Sequence, residues 1–243
     1  MEKTLMQKLT LFSMNFDFST GQQKEILNDL QRNNYKLVGY KGATGNNQIT
    51  VGVPTWFSIV YSGVFGTLEI DYEPKYKLYA YHRSHIDINT TIVMEELSEE
   101  ISLGTGMTFN SQARFVKTSD APEGVITVND SRPAGSPSLI IGLAAKVDGR
   151  HLPFCAFTSS PQEIITIEPN EKTALFALQT NMTPGSLADH INNPGCCFMF
   201  SDQNMKYDLQ MIPDTYGIEN VPGKLPVEPV SPGSSLIQLF STF

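Results

Sequence analysis

The sequence of 243 residues is poor in charge, at 17%, and poorer in cations than in anions, with 17 Lys and Arg against 25 Asp and Glu and a net charge of −8. That balance excludes a partner held by its nucleic-acid backbone, because phosphate contacts need clustered Lys and Arg. No run of about 18 apolar residues occurs, so the usual membrane-spanning helix is excluded. Cysteine is scarce: Cys155 stands alone and Cys196 and Cys197 are adjacent, so no disulfide framework is implied. Met1 to Thr10 holds no continuous apolar stretch of the signal-peptide kind. The expectation is a cytoplasmic protein, or one exported without a conventional leader, in which the sequons at Asn89, Asn129 and Asn181 carry no sugar.

What is present is apolar and β-rich. Hydrophobic residues make up 40%, which excludes disorder, and 9 Tyr, 14 Phe and many Val, Ile and Thr sit in short runs cut by 15 Pro and 18 Gly. Asp148-Gly149 between two apolar runs is the strongest hairpin signal, since both residues tolerate the positive φ of a type I′ turn. Around residues 20–34, Ile26, Leu27 and Leu30 make one narrow stripe behind a Ser19 or Thr20 cap, which predicts a short surface helix. A second helix is predicted over Ile92 to Leu103, with Val93, Leu97 and Ile101 at helical spacing and Glu95, Glu96, Glu99 and Glu100 on the solvated side.

The two halves resemble each other. Leu37-Val-Gly-Tyr40 sets against Ile140-Ile-Gly-Leu143, and Val53-Pro-Thr-Trp-Phe-Ser58 against Leu152-Pro-Phe-Cys-Ala-Phe157. Glu73-Pro74 with Leu78-Tyr-Ala-Tyr81 matches Glu168-Pro169 with Leu175-Phe-Ala-Leu178, and Gly104, Phe109 and Gln112 match Gly195, Phe200 and Gln203. The expected fold is therefore all-β with minor α. Two tandem antiparallel β-sandwich domains, residues 1–118 and 119–243, are related by internal duplication. The first carries the helix as an insertion, and the second ends in a Pro/Gly-rich tail from about 216.

No catalytic pattern emerges. Gly39-Tyr-Lys-Gly-Ala-Thr-Gly45 does not end as a phosphate loop does, and no Gly-x-Ser-x-Gly elbow occurs. His82-Arg-Ser-His85-Ile-Asp87 would put His82 on the opposite strand face from His85 and Asp87, so no metal is expected. Of Cys196 and Cys197, one is expected in the core and the other near solvent. The best candidate is the uncharged stretch Gly42 to Leu68, whose Trp56, Phe57, Tyr61 and Phe65 would form a ligand platform if they face solvent. The expected function is a non-catalytic, lectin-like binding protein without cofactor, recognising a carbohydrate, a lipid headgroup or a protein surface. Two alternatives compete: a leaderless membrane-active protein, and a structural protein that oligomerises by strand addition through Leu236, Ile237, Leu239 and Phe240.

Overall fold

The computed structural model describes residues 10–19 and 21–241. The predicted strand from Lys8 and the Thr20 cap fall partly or wholly outside these residues. The first half runs β1 (Phe12–Asp17), α1 (Gly21–Arg32), β2 (Tyr35–Gly45), β3 (Val53–Pro54), β4 (Phe57–Val60), β5 (Thr67–Tyr81), β6 (Glu96–Leu97), β7 (Thr105–Phe109) and β8 (Phe115–Asp120). The second runs β9 (Ile126–Asp130), β10 (Leu139–Val147), β11 (Arg150–Ser159), β12 (Ile164–Gln179), β13 (Leu187–Ala188), β14 (His190–Ile191), β15 (Gly195–Met199) and β16 (Lys206–Met211). It closes with β17 (Ile218–Asn220), β18 (Glu228–Val230), β19 (Ser234–Ser235) and α2 (Leu236–Ser241).

The all-β class is as expected, but the arrangement is not tandem. One sheet has the order β11-β10-β5-β1-β16-β17 with β6 also on β5; the other has β18-β15-β12-β9-β7-β8 with β2 on β12 and β4 on β2. Each sheet takes strands from both sides of residue 118, and β8 runs through that boundary. A single core lies between the sheets. Met14 and Phe16 of β1, Leu78 of β5 and Ile141 of β10 meet Leu37 of β2, Met107 of β7, Ile165 and Leu175 of β12 and Cys196 of β15. Alternation dictates this: Phe12-Ser-Met-Asn-Phe-Asp puts every second residue inward, and the same holds for Thr67-Leu-Glu-Ile-Asp.

The halves repeat strand for strand, but interlaced. Within a half, β1 pairs β5 as β9 pairs β12, β2 pairs β4 as β10 pairs β11, and β7 pairs β8 as β16 pairs β17. Between halves, β2 pairs β12 as β10 pairs β5, and β1 lies parallel to β16 as β9 lies parallel to β7. The register repeats too: Leu37 faces Ala177 where Ile141 faces Ala80, and Lys41 faces Thr173 where Ala145 faces Tyr76. After a shift at the same place, Ala43 faces Pro169 where Val147 faces Tyr72.

These pairings move four of the sequence matches: Phe57 takes the place of Cys155 and not of Ala156, Tyr72 and not Pro74 takes that of Pro169, and two more shift as follows. Leu37 corresponds to Ile141 and not to Ile140, because Leu37 and Ile141 point into the central core while Ile140 points to the other face. The counterpart of β7 is β16, not β15, since β15 occupies beside β12 the place that β6 takes beside β5. The match of Leu78 and Ala80 with Leu175 and Ala177 stands, all four facing the core.

The predicted helix at Ile92 to Leu103 is absent; the chain there runs extended along β5. Ile92 and Ser98 are buried while Val93, Leu97 and Leu103 are exposed, which is a strand's period of two. Its amides at Glu95, Ser98 and Ile101 donate to Ala80, Leu78 and Tyr76 carbonyls. Helix α1 forms as expected and closes one end of the sandwich with Ile26, Leu27 and Leu30. Gln23 exchanges two hydrogen bonds with the Met211 backbone. The Asp148-Gly149 hairpin forms with φ of 46° and 74°.

Beyond the central core, one outer half of each sheet is covered. Leu236 and Phe240 of α2 pack on Val38, Tyr40 and Phe176, and Ile49, Ile86, Ile92 and Leu187 pack on Tyr79, Ile140 and Ala156. No buried apolar cluster of the described residues covers the remaining outer halves, over β5-β1-β16 and over β12-β9-β7.

Candidate functional site

Three of the four predicted ligand rings are core. Trp56 is 0% exposed, donates from Nε1 to the Ala145 carbonyl at 3.3 Å and meets Tyr72 edge-on at 5.0 Å between centroids. Phe57 and Tyr61 are equally buried, so none of these rings offers a face to a ligand. The uncharged stretch runs from the end of β2 to the start of β5, and its Trp56, Phe57 and Tyr61 turn inward to the core. Phe65 alone is exposed, at 84%, and it sits two residues before Thr67, which lines a groove.

That groove, about 490 Å³, lies on the open outer face of the seven-stranded sheet. It is lined by Asn15 and Asp17 of β1, Thr67 and Glu69 of β5, Lys206 and Asp208 of β16, and Val221 and Lys224 after β17. Strand register puts Glu69, Asn15 and Asp208 side by side in one row across three strands. Asn15 Nδ2 donates to Asp208 Oδ1 at 3.4 Å, and Lys224 Nζ and Lys206 Nζ lie 3.1 and 3.7 Å from the Asp208 carboxylate. Burial opposes ionisation of Asp208, but the bonds from Lys224 and Asn15 and the Lys206 charge hold its carboxyl below the ordinary range. Asn15 Oδ1 is buried and accepts no hydrogen bond among the described residues. Glu69 has no cation partner among them either, so the groove keeps vacant acceptors beside the spare N–H groups of Lys206 and Lys224.

The matching rows of the other sheet supply a control within the molecule. Thr166, Thr127 and Gly106 stand where Glu69, Asn15 and Asp208 stand, by the equivalent pairings. A Cβ at position 106 would meet Ser119 Oγ, so a side chain there requires that hydroxyl to turn away. The same scaffold thus carries a charged, notched face on one sheet and a face of hydroxyls and methyls on the other.

Other candidates fall away chemically. Cys196 and Cys197 are both buried, pointing into different cores, which corrects the expectation that one lies near solvent. Burial pushes the Cys155 and Cys197 thiols up, to about 12 and about 11, so neither supplies a thiolate nucleophile near neutral pH. His82 Nδ1 is taken by Glu95 Oε2 at 2.9 Å and Asp87 caps its own turn through the Asn89 amide, and no group of three metal-capable side chains forms among the described residues. The Leu236 segment is a helix on its own sheet rather than a free strand, with Leu236 and Phe240 buried and Ile237 and Leu239 packed beside them. Among the described residues no helix is long and apolar enough to cross a membrane.

Sequence reasoning missed Asn15, Glu69 and Asp208, which lie far apart in the chain. The available signal was the polar phase of three alternating strands, Ser13-Asn15-Asp17, Thr67-Glu69-Asp71 and Lys206-Asp208-Gln210. No protein-family model, curated protein or solved structure matches this chain, which leaves the groove itself as the ground for a functional reading.

Proposed function

We propose that this chain is a non-catalytic binding protein that takes a polyhydroxylated ligand, a carbohydrate, in the outer groove of its seven-stranded sheet. The observation that carries the reading is the Glu69–Asn15–Asp208 row with its vacant acceptor, set against the neutral Thr166–Thr127–Gly106 row on the equivalent strands. Vacant acceptors on a rigid sheet suit a ligand that presents several hydroxyl donors. Lys224 and Lys206 orient the carboxylate between them, and Val221 gives an apolar flank for the face of a sugar ring. A glycan array probed with the full chain tests this. Binding to at least one glycan that disappears with Asp208→Ala is the expected result, and an array without any signal overturns it.

A second reading rests on Phe65, which with the half-exposed Val60 flanks a short turn, Tyr61–Gly63, ahead of Gly66. An exposed ring on such a tip suits shallow insertion among lipid headgroups. Co-sedimentation with neutral and anionic liposomes, lost on Phe65→Ala, is its test; a chain that stays in the supernatant with both eliminates it.

A further inference from the structure

The binding reading leaves one buried cluster unused. Lys41 of β2 is 0% exposed in the core between the sheets, its Nζ 2.7 Å from Glu171 Oε2 and 2.6 Å from the Asn170 carbonyl oxygen. The rings of Tyr72 and Phe154 wall it at 4.7 and 5.7 Å. The other oxygen of the carboxylate, Glu171 Oε1, accepts from Tyr72 at 3.1 Å and from Tyr76 at 2.9 Å. The repeat has no copy of this device, since Ala145 stands at the place of Lys41.

A fully buried amine and a carboxyl that is 26% exposed, held in contact with two hydroxyl donors on the far oxygen, bring together the parts of an acyl-transfer site. We propose that Lys41 and Glu171 condense into an intramolecular amide, a side-chain cross-link between β2 and β12. The ion pair first neutralises by passing one proton from Nζ to Oε2. Burial lowers the proton affinity of the Lys41 amine, whereas at Glu171 burial is outweighed by the Lys41 charge and the bonds from Lys41, Tyr72 and Tyr76, which hold its carboxyl below the ordinary range, so this transfer is the uphill step. The free Nζ pair attacks Glu171 Cδ, and Tyr72 and Tyr76 hold the negative charge that collects on Oε1. The Cδ–Oε2 bond breaks, the nitrogen gives up a second proton, and Oε2 leaves as water. Nothing is oxidised or reduced, and no co-reactant enters. Oε1 remains as the amide carbonyl oxygen, still accepting from both tyrosines. The product joins the two interlaced halves at a strand pair that belongs to neither alone.

Mass spectrometry of the full chain tests this without relying on any variant to fold. Wild-type protein, denatured and digested, is expected to yield a branched peptide joining the Lys41 and Glu171 segments, one water lighter than the two linear peptides together. Lys41→Met is expected to give only the linear Glu171 peptide. Tyr72→Phe combined with Tyr76→Phe is expected to lower the cross-linked fraction of freshly made protein at least about tenfold. Two linear wild-type peptides at full mass, after prolonged incubation of the folded chain, overturn the proposal. Unchanged cross-linking in the double tyrosine variant overturns the role given to the hydroxyls.

Discussion

The two sheets repeat one strand programme with the same neighbours and the same mid-strand shift, yet their open outer faces differ in chemistry. Over β5-β1-β16 the face carries Asp17, Glu69, Lys206 and Asp208; over β12-β9-β7 the equivalent places hold Asn129, Thr166, Gly104 and Gly106. On these strands the inward residues at the same positions stay apolar, such as Phe16 and Val128, or Leu209 and Met107. Packing therefore demands the inward half of the pattern. It makes no such demand on the outward half, which is free to differ between the two sheets.

The largest effect expected tests the shared core. Leu78 and Leu175 occupy equivalent inward positions, both fully buried. Leu78→Ala and Leu175→Ala should each cost about 2–5 kcal/mol, by similar amounts, in urea unfolding followed through Trp56 fluorescence. Both variants and the wild type should unfold in one transition. Two transitions would mean that residues 1–118 and 119–243 fold apart after all, and a near-zero cost for either leucine would break the equivalence.

The next effect sharpens the difference between the faces. Asp208→Ala should weaken glycan binding about 10- to 100-fold, as expected for losing hydrogen bonds to a charged group, while Thr127→Ala on the opposite face leaves it unchanged. Equal losses from both would remove the distinction. Phe65→Ala should leave both glycan binding and the unfolding midpoint where they are, because the ring is exposed and lies outside the groove lining. A shifted midpoint would show that Phe65 packs in the fold.

The smallest effect is a pH dependence. Asp208 titrates below the ordinary carboxylate value in the folded chain, its bonds to Lys224 and Asn15 and the Lys206 charge outweighing burial. Its contribution is present above the unfolded pKa and is lost as pH falls through the folded one. Binding followed by calorimetry should hold steady from neutral pH down past the usual carboxylate range, then fall. Loss already around pH 6 would point to a histidine instead and contradict the assignment of the site to Asp208.

Local signals in the sequence went far for the strands and stopped short of the site. The Asp148-Gly149 turn, the run Leu139–Val147 and the helix stripe at Ile26, Leu27 and Leu30 were legible because each is decided by neighbours in the chain. Ile92 to Leu103 misled, since Val93, Leu97 and Ile101 mimic a helical stripe while the segment is anchored by amides on the edge of β5. Repetition between halves was visible at Leu78 and Leu175, but its interlacing was not, because pairings such as β1 with β16 join opposite ends of the chain. The groove was hidden for the same reason: Asn15 and Asp208 are 193 residues apart, and only the parallel β1–β16 register makes them neighbours.

The most direct test of the central claim is one side-by-side measurement: retention of the full chain, of Asp208→Ala and of Thr127→Ala on a panel of immobilised neutral oligosaccharides. The account predicts at least one sugar that holds the wild type and Thr127→Ala and releases Asp208→Ala. A panel that holds none of the three, or that holds Asp208→Ala as firmly as the wild type, would contradict it.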